Sequence, residues 1–160
     1  MIKEDFLIKD CRLKYLTLIF ILLSYNFYAQ TTMKKYINSE HAPDPVGPYN
    51  QGILIDGTLY TSGQIALDPK TMIMNNESIQ TETKQVFKNI HEVLKEANFS
   101  FKDVIKVSIF LDDMEDFATV NEIYSTFFEK GKEPVRETVE VSGLPKKARI
   151  EVSVIAKKWA

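Results

Sequence analysis

Cysteine and histidine are scarce in this chain of 160 residues, which contains one cysteine and two histidines. Cys11 has no second cysteine with which to form a disulfide within the chain, and alone it cannot build a thiolate zinc site. His41 and His91 stand far apart in the sequence, and neither has another histidine or cysteine nearby. We therefore expect no metal and no disulfide framework. A metal site made only of carboxylates is the one alternative left.

An excess of positive charge is also missing, since 20 lysines and arginines stand against 22 acidic residues for a net charge of −2. Proteins that bind nucleic acid generally carry clustered basic residues that contact phosphates. We therefore expect no nucleic-acid partner. The sequence also contains no phosphate-binding glycine loop, no dinucleotide fingerprint and no Gly-x-Ser-x-Gly elbow. These absences argue against nucleotide chemistry and against a serine hydrolase.

Residues 1–32 differ in composition from the rest of the chain. An apolar run from Leu16 to Leu23 follows the basic residues Arg12 and Lys14, and the small Ala29 comes after it. This run is too short to span a membrane, but the layout is typical of a secretory signal peptide. We expect an exported or periplasmic protein whose functional domain covers residues 33–160. Two alternatives stay open: a true start at Met33, giving a cytoplasmic protein, or a helix that docks on the body.

The body from residue 33 onward predicts a two-layer α+β domain. An Asp56-Gly57 pair between apolar runs indicates a hairpin, and two segments with helical spacing alternate with segments rich in β-branched residues. Ser78 is suited to cap the first helix and Asn98 to end it. The predicted order is ββαβαββ, with two helices packed on one mixed sheet and elements at 53–55, 58–65, 79–97, 104–111, 115–128, 138–141 and 149–156.

The last predicted strand has side chains of different character on its two faces. Ile150, Val152, Val154 and Ala156 alternate with Glu151, Ser153 and Ile155, so the second face is mixed rather than polar. Because two helices cover only one face of a sheet, we expect the mixed face to contact another subunit. A solvated face with scattered apolar residues is the alternative.

Three residues in the body are candidates for chemistry. Arg136 is the only arginine between Arg12 and Arg149, and a guanidinium can hold a carboxylate through two parallel hydrogen bonds. Glu151 lies between two apolar strand residues, where burial would raise its pKa and make it a candidate general base. Tyr49 could place a phenol over a cleft. Each could also be an ordinary surface or packing residue.

Taken together, the segments resemble the Rid (reactive intermediate deaminase, RidA/YjgF) family. The resemblance covers residues 33–157 and depends on the order and spacing of several motifs. These motifs are Ala42-Pro43, Gly47-Pro48-Tyr49-Asn50-Gln51-Gly52, Thr61-Ser62-Gly63-Gln64-Ile65, Gln80-Thr81, Val104-Ile105-Lys106, Phe117 with Val120-Asn121 and Tyr124, Pro134-Val135-Arg136, Leu144-Pro145 and Ile150-Glu151-Val152.

The resemblance implies a chorismate-mutase-like fold and a homotrimer with its sites between subunits. It also implies hydrolysis of 2-imino acids such as 2-iminobutanoate and 2-iminopropanoate, or their enamine tautomers, to 2-oxo acids and ammonia without a cofactor. Arg136 would bind the substrate carboxylate and Glu151 would activate the attacking water. The remaining implied site residues line or complete the cleft: Tyr49, Ser62, Gly63, Asn121 and Thr138.

The sequence departs from the family around the arginine. Where many members have Pro-Ala-Arg-Ser-Cys, this chain has Pro134-Val135-Arg136-Glu137-Thr138. A carboxylate beside the arginine could weaken substrate binding, but strand alternation predicts that Glu137 faces away from it. Two other functions stay open: a trimeric binding or regulatory protein without turnover, and an endoribonuclease, which the acidic balance disfavours.

Overall fold

The computed structural model describes residues 14, 15, 17 and 33–158. Contacts divide the chain into two units, Met1–Thr32 and Met33–Ala160. In the first unit, the Thr17 hydroxyl donates a hydrogen bond to the carbonyl of Lys14. The signal-peptide prediction falls almost wholly outside the described residues and stays a prediction. The helices formed by the described residues are too short or too polar to span a bilayer.

The second unit is a two-layer α+β domain, as the sequence predicts. Six strands form one sheet: β1 (Lys34–Ile37), β2 (Gly52–Ile55), β3 (Thr58–Thr61), β4 (Val104–Leu111), β5 (Val135–Glu140) and β6 (Ile150–Lys157). Two helices, α1 (Ile79–Glu96) and α2 (Phe117–Ser125), pack on it. The order across the sheet is β1-β2-β3-β6-β4-β5, and the sheet is mixed because β4 and β5 run parallel while the other neighbours are antiparallel.

The predicted turn and helix ends are confirmed. Asp56 and Gly57 have φ of 47° and 70°, the left-handed pair that a two-residue hairpin requires. The Ser78 side chain accepts a hydrogen bond from the backbone N–H of Thr81 at 3.1 Å, which caps the start of α1. Asn98 has φ of 61° just after this helix, where a left-handed residue stops it.

Four elements differ from the sequence prediction. Strand β3 ends at Thr61 and not at Ile65, because among residues 62–65 only Gln64 pairs, in an isolated bridge with Val152. The short strand β1 was not predicted, so the observed order is βββαβαββ. It pairs antiparallel with β2, from Lys34 opposite Ile55 to Ile37 opposite Gly52. Helix α2 is shorter than predicted, because a 3-10 turn at Met114–Asp116 precedes it and bonds of 3-10 type close its end. Strand β5 begins three residues earlier than predicted, since parallel pairing with β4 starts at Val135.

The two faces of the sheet differ as the alternation predicts. Ile150, Val152, Val154 and Ala156 of β6 are at most 2% exposed beneath the helices, where they pack with the apolar face of α1. The opposite face, called the outer face below, carries a row of apolar side chains that includes Tyr36, Ile53, Tyr60 and Ile155, placed opposite one another by the strand register. A second subunit on this face stays a prediction.

A buried ion pair fixes the start of β6 relative to α1. Glu82 is fully buried in the first turn of α1. Its two carboxylate oxygens accept bonds from the backbone N–H and the Nε–H of Arg149 at 2.7 and 2.9 Å. Arg149 Nη2 also donates to the carbonyl of Asn76 at 3.1 Å. Because Arg149 directly precedes β6, the pair sets the position at which the strand carrying Glu151 begins.

Candidate functional site

A cleft of about 340 Å³ lies beside β6 and the loop that follows β3. It collects four of the residues that the sequence singled out. Its lining consists of Val46, Tyr49, Ser62, Gly63, Ile65, Pro145 and Glu151. The loops and the strand that supply these residues are far apart in the sequence, so the fold, and not local spacing, assembles the cleft.

The carboxylate of Glu151 lies against the backbone of Gly63. A Cβ atom built on Gly63 would overlap the carboxylate group of Glu151, so only glycine leaves room for that side chain in its observed position. Burial raises the pKa of Glu151 above its ordinary value of 4.5. A carboxylate with a raised pKa can accept a proton from water more readily than an exposed one, so Glu151 has the properties of a general base.

Tyr49 is carried by a loop that one buried side chain anchors. Gln51 accepts a bond from the Ser39 backbone N–H at 2.6 Å and donates to the carbonyls of Ser39 and Pro43 at 3.1 and 2.9 Å. Close to the cleft, the Tyr49 hydroxyl accepts a bond from the Val46 backbone N–H at 3.2 Å. The phenolic proton therefore stays available to a ligand. Gln51 was quoted in a motif, but its anchoring role depends on contacts that sequence alone does not display.

The Ser62 hydroxyl is engaged by the protein itself. Its Oγ donates to the carbonyl of Asn50 at 2.6 Å, and its backbone N–H donates to the carbonyl of Gln51 at 2.9 Å. Two residues later, Gln64 forms a pair of backbone bonds with Val152 at 2.8 and 3.0 Å. These bonds hold the loop beside Glu151. Since its proton is already donated, Ser62 is left as a hydrogen-bond acceptor.

Arg136 lies on the opposite side of the sheet from Glu151. The register places Arg136 opposite the buried Val107 on the helix face, whereas Glu151 is opposite Phe110 on the outer face. Within one chain the two groups therefore project away from each other. The prediction that they form one site requires residues from two copies of the chain.

The surroundings of Arg136 come mainly from α2. Its Nη1 donates to Asn121 Oδ1 at 2.8 Å, and its guanidinium carbon lies 4.5 Å from the ring centre of Tyr124 and 5.7 Å from that of Phe117. None of the ion pairs found among residues 33–158 involves Arg136. Within one chain Asn121 binds Arg136 and does not line the Glu151 cleft, so its place near the substrate stays a prediction.

Thr138 and Glu137 point to different faces of β5. Thr138 is opposite Ile109 on the helix face, the same side as Arg136, and its Oγ1 is buried without a hydrogen-bond partner in the described part of the chain. Glu137 is on the outer face, where it accepts a bond from the Ser108 hydroxyl at 2.7 Å and pairs with Lys106 at 3.1 Å. These contacts lower the pKa of Glu137, and the expectation that it faces away from Arg136 is confirmed.

Tyr124 belongs to one of the sequence motifs, and in the structure its first role is that of a buried residue of α2. Its second role, beneath the Arg136 guanidinium, was missed. The sequence feature that could have indicated this role is the three-residue spacing of Asn121 and Tyr124, which puts both side chains on one face of a helix. In the described residues, no group of three or more His, Cys, Asp or Glu side chains is placed to hold a metal ion.

Comparison with known proteins yields consistent matches over this second unit. The family model described as Endoribonuclease L-PSP matches residues 39–158. A RutC family protein of Synechocystis sp. is 47% identical over 76% of this chain and 95% of its own length. The mouse protein named 2-iminobutanoate/2-iminopropanoate deaminase is 42% identical over 78% of this chain and 91% of its own. The solved structure of a conserved Rid family protein from Yersinia pestis has a TM-score of 0.76 and 40% identity, covering 79% of this chain and all of that one.

Proposed function

Since the chain belongs to the Rid (YjgF/RidA) family, we propose that it is a hydrolytic deaminase of 2-imino acids. Its substrates are 2-iminobutanoate and 2-iminopropanoate or their enamine tautomers, and its products are the 2-oxo acids and ammonia. The mouse relative supports this assignment because its name states that activity. The observation that carries the proposal is the Glu151 carboxylate, whose pKa is raised by burial at the wall of a cleft.

Glu151 supplies the proton transfers that hydrolysis of a C=N bond requires. As a carboxylate it accepts a proton from water while the water oxygen bonds to the imine carbon. It then returns that proton to the nitrogen and passes the remaining hydroxyl proton to the nitrogen as well, so the C–N bond breaks and ammonia leaves as the carbonyl forms. An iminium carbon is already electrophilic, so the protein needs only to orient it and deliver water. The proposed reaction therefore uses no cofactor. Tyr49, which lines the same cleft, is suited to hold the water or the substrate nitrogen.

Arg136 binds the substrate carboxylate in this proposal. It uses one hydrogen bond for Asn121, and a guanidinium has five N–H donors in a planar fork, so a bidentate edge remains for a ligand. Because Arg136 and Glu151 of one chain lie on opposite faces of the sheet, Arg136 acts on substrate in the cleft of a neighbouring copy. We propose a homotrimer with its sites between subunits, in which neighbouring chains cover the apolar outer face.

A deaminase assay with matched variants tests the proposal. The imine is generated in place by a pyridoxal-phosphate dehydratase acting on threonine, and 2-oxobutanoate and ammonia are measured against spontaneous hydrolysis. We expect the wild-type protein to accelerate hydrolysis, and we expect Arg136→Ala and Glu151→Gln each to remove the acceleration. Light scattering checks that both variants keep the oligomeric state of the wild type.

The two other functions give different results in the same preparation. Saturable binding of 2-oxobutanoate with no acceleration of imine hydrolysis would identify a binding protein without turnover. Degradation of RNA that is lost in both variants would identify a nuclease that uses the same groups. Either result, obtained with wild-type protein of the correct oligomeric state, would contradict the deaminase assignment.

A further inference from the structure

In the described part of the chain, the guanidinium of Arg136 rests on an aromatic ring and forms no ion pair with an acidic side chain. Its carbon is 4.5 Å from the centre of the Tyr124 ring, a distance at which the face of an aromatic ring attracts a cation. Phe117 is farther away, at 5.7 Å. Since no ion pair to Arg136 is found among residues 33–158, its positive charge remains available to a ligand while the side chain is still held in place.

Tyr124 is itself held firmly by its neighbours. It is 5% exposed, it meets Phe87 edge-on with ring centres 5.9 Å apart, and it packs against Phe128 with centres 4.7 Å apart. A ring fixed on two sides cannot follow a mobile arginine. It therefore provides a stationary flat surface, and a guanidinium bound to such a surface loses less conformational freedom when it later binds a carboxylate.

The hydroxyl of Tyr124 plays no visible part in this arrangement. Tyr124 Oη is buried and has no hydrogen-bond partner in the part of the chain that the structure describes. Burial raises the pKa of this phenol more strongly than the nearby Arg136 charge lowers it, so the group stays neutral at physiological pH. The ring and the hydroxyl can therefore be separated by experiment, because phenylalanine keeps the first and removes the second.

We propose that Tyr124 is a positioning residue for the carboxylate-binding arginine. Its ring face fixes the plane of the Arg136 guanidinium, and Asn121 fixes one edge of it through the 2.8 Å bond to Nη1. The free edge is thereby aimed at the ligand before the ligand arrives. The identity of that ligand as a 2-imino or 2-oxo acid rests on the proposed function, whereas the stacking of the arginine does not.

The test compares Tyr124→Phe with Tyr124→Leu by two measurements. The first is the dissociation constant of 2-oxobutanoate, the product carboxylate, from calorimetry without turnover. The second is the NMR signal of the Arg136 Nε–H group, which the ring current of Tyr124 shifts. We expect Tyr124→Leu to weaken binding about tenfold, as the loss of a cation–π contact to a partly buried arginine implies, and to move the signal to a position typical of a free arginine. Tyr124→Phe keeps both the affinity and the shifted signal.

A stability control separates positioning from a general loss of packing. Val93→Ala removes buried atoms from the same core, at a residue on α1 rather than α2, so it lowers the melting temperature and leaves the Arg136 signal in place. Two outcomes would overturn the proposal: an unshifted Arg136 signal in the wild type, or equal losses of affinity in Tyr124→Phe and Tyr124→Leu, which would assign the effect to the hydroxyl. If the wild type neither binds 2-oxobutanoate nor hydrolyses the imine, the proposed function fails, and the NMR signal still decides the role of Tyr124.

Discussion

Mixing two inactive variants should restore activity if each site takes its arginine and its glutamate from different chains. Arg136 and Glu151 of one chain lie on opposite faces of the sheet, so one chain cannot direct both groups at one substrate. The perturbation is an equal mixture of Arg136→Ala and Glu151→Gln chains, assembled together by co-expression or by refolding. Neither variant alone has a complete site.

The expected magnitude follows from counting chains. A site is complete when the copy that supplies Arg136 is a Glu151→Gln chain and the copy that supplies Glu151 is an Arg136→Ala chain. Each condition is met about half of the time in random assemblies, so about one quarter of the sites are restored. A site contained in one chain would restore none of them.

A second mixture provides the matched control. Wild-type chains mixed equally with the double variant Arg136→Ala/Glu151→Gln give about one quarter of the wild-type activity if sites are shared, and about one half if each chain has its own site. Native mass spectrometry confirms that mixed oligomers have formed, and 2-oxobutanoate production gives the rate. Mixed oligomers with no recovered activity in the first mixture would refute the shared site.

Four further predictions concern other parts of the chain. The pH profile of kcat/KM should rise through a pKa above 4.5, because the pKa of Glu151 is raised by burial and its charged form is the base; a profile that is flat from pH 4 to 8 would contradict this. Gly63→Ala should reduce activity about a hundredfold, since displacement of the proposed general base by 1 Å can cost that much and the added Cβ overlaps the Glu151 carboxylate; Gly143→Ala, in open space, is the control, and equal rates would show that Glu151 can move without loss. Arg149→Met should lower the free energy of unfolding by about 3 kcal/mol, because the buried Glu82 carboxylate loses its charged partner and keeps only the bond from the Arg149 backbone N–H; a urea titration with an unchanged midpoint would mean that water replaces the guanidinium. Intact-mass measurement of the native protein should show removal of about thirty N-terminal residues after export, whereas a full-length mass in the exported fraction would contradict a cleaved signal peptide.

The sequence was a good guide to elements whose signals are local. Side-chain periodicity predicted α1, Ser78 and Asn98 predicted its ends, and Asp56-Gly57 predicted the hairpin. Strand β1 was missed because its four residues include two lysines and its stability comes from pairing with β2. The early start of β5 likewise depends on its parallel partner. Such pairings join segments that are distant in the sequence, and no local pattern reports them.

The candidate site shows the same division between local and long-range information. Residue type made Arg136 and Glu151 candidates, and alternation within β5 was enough to place Glu137 on the far face from Arg136. The assignment of Arg136 and Glu151 to opposite faces required the register of β5 and β6 on β4. The Glu82–Arg149 pair joins residues that are 67 positions apart, so no local sequence pattern predicts this contact.

The Gln51 anchor bears on when the loop that carries Tyr49 becomes ordered in the proposed homotrimer. Its bonds to Ser39 and Pro43 close the loop that carries Tyr49 entirely within one polypeptide. The wall of the cleft can therefore take its shape within a single chain, without contacts from another copy. In the proposed homotrimer, subunits would then meet as finished surfaces, and their association need not include the entropic cost of ordering that loop.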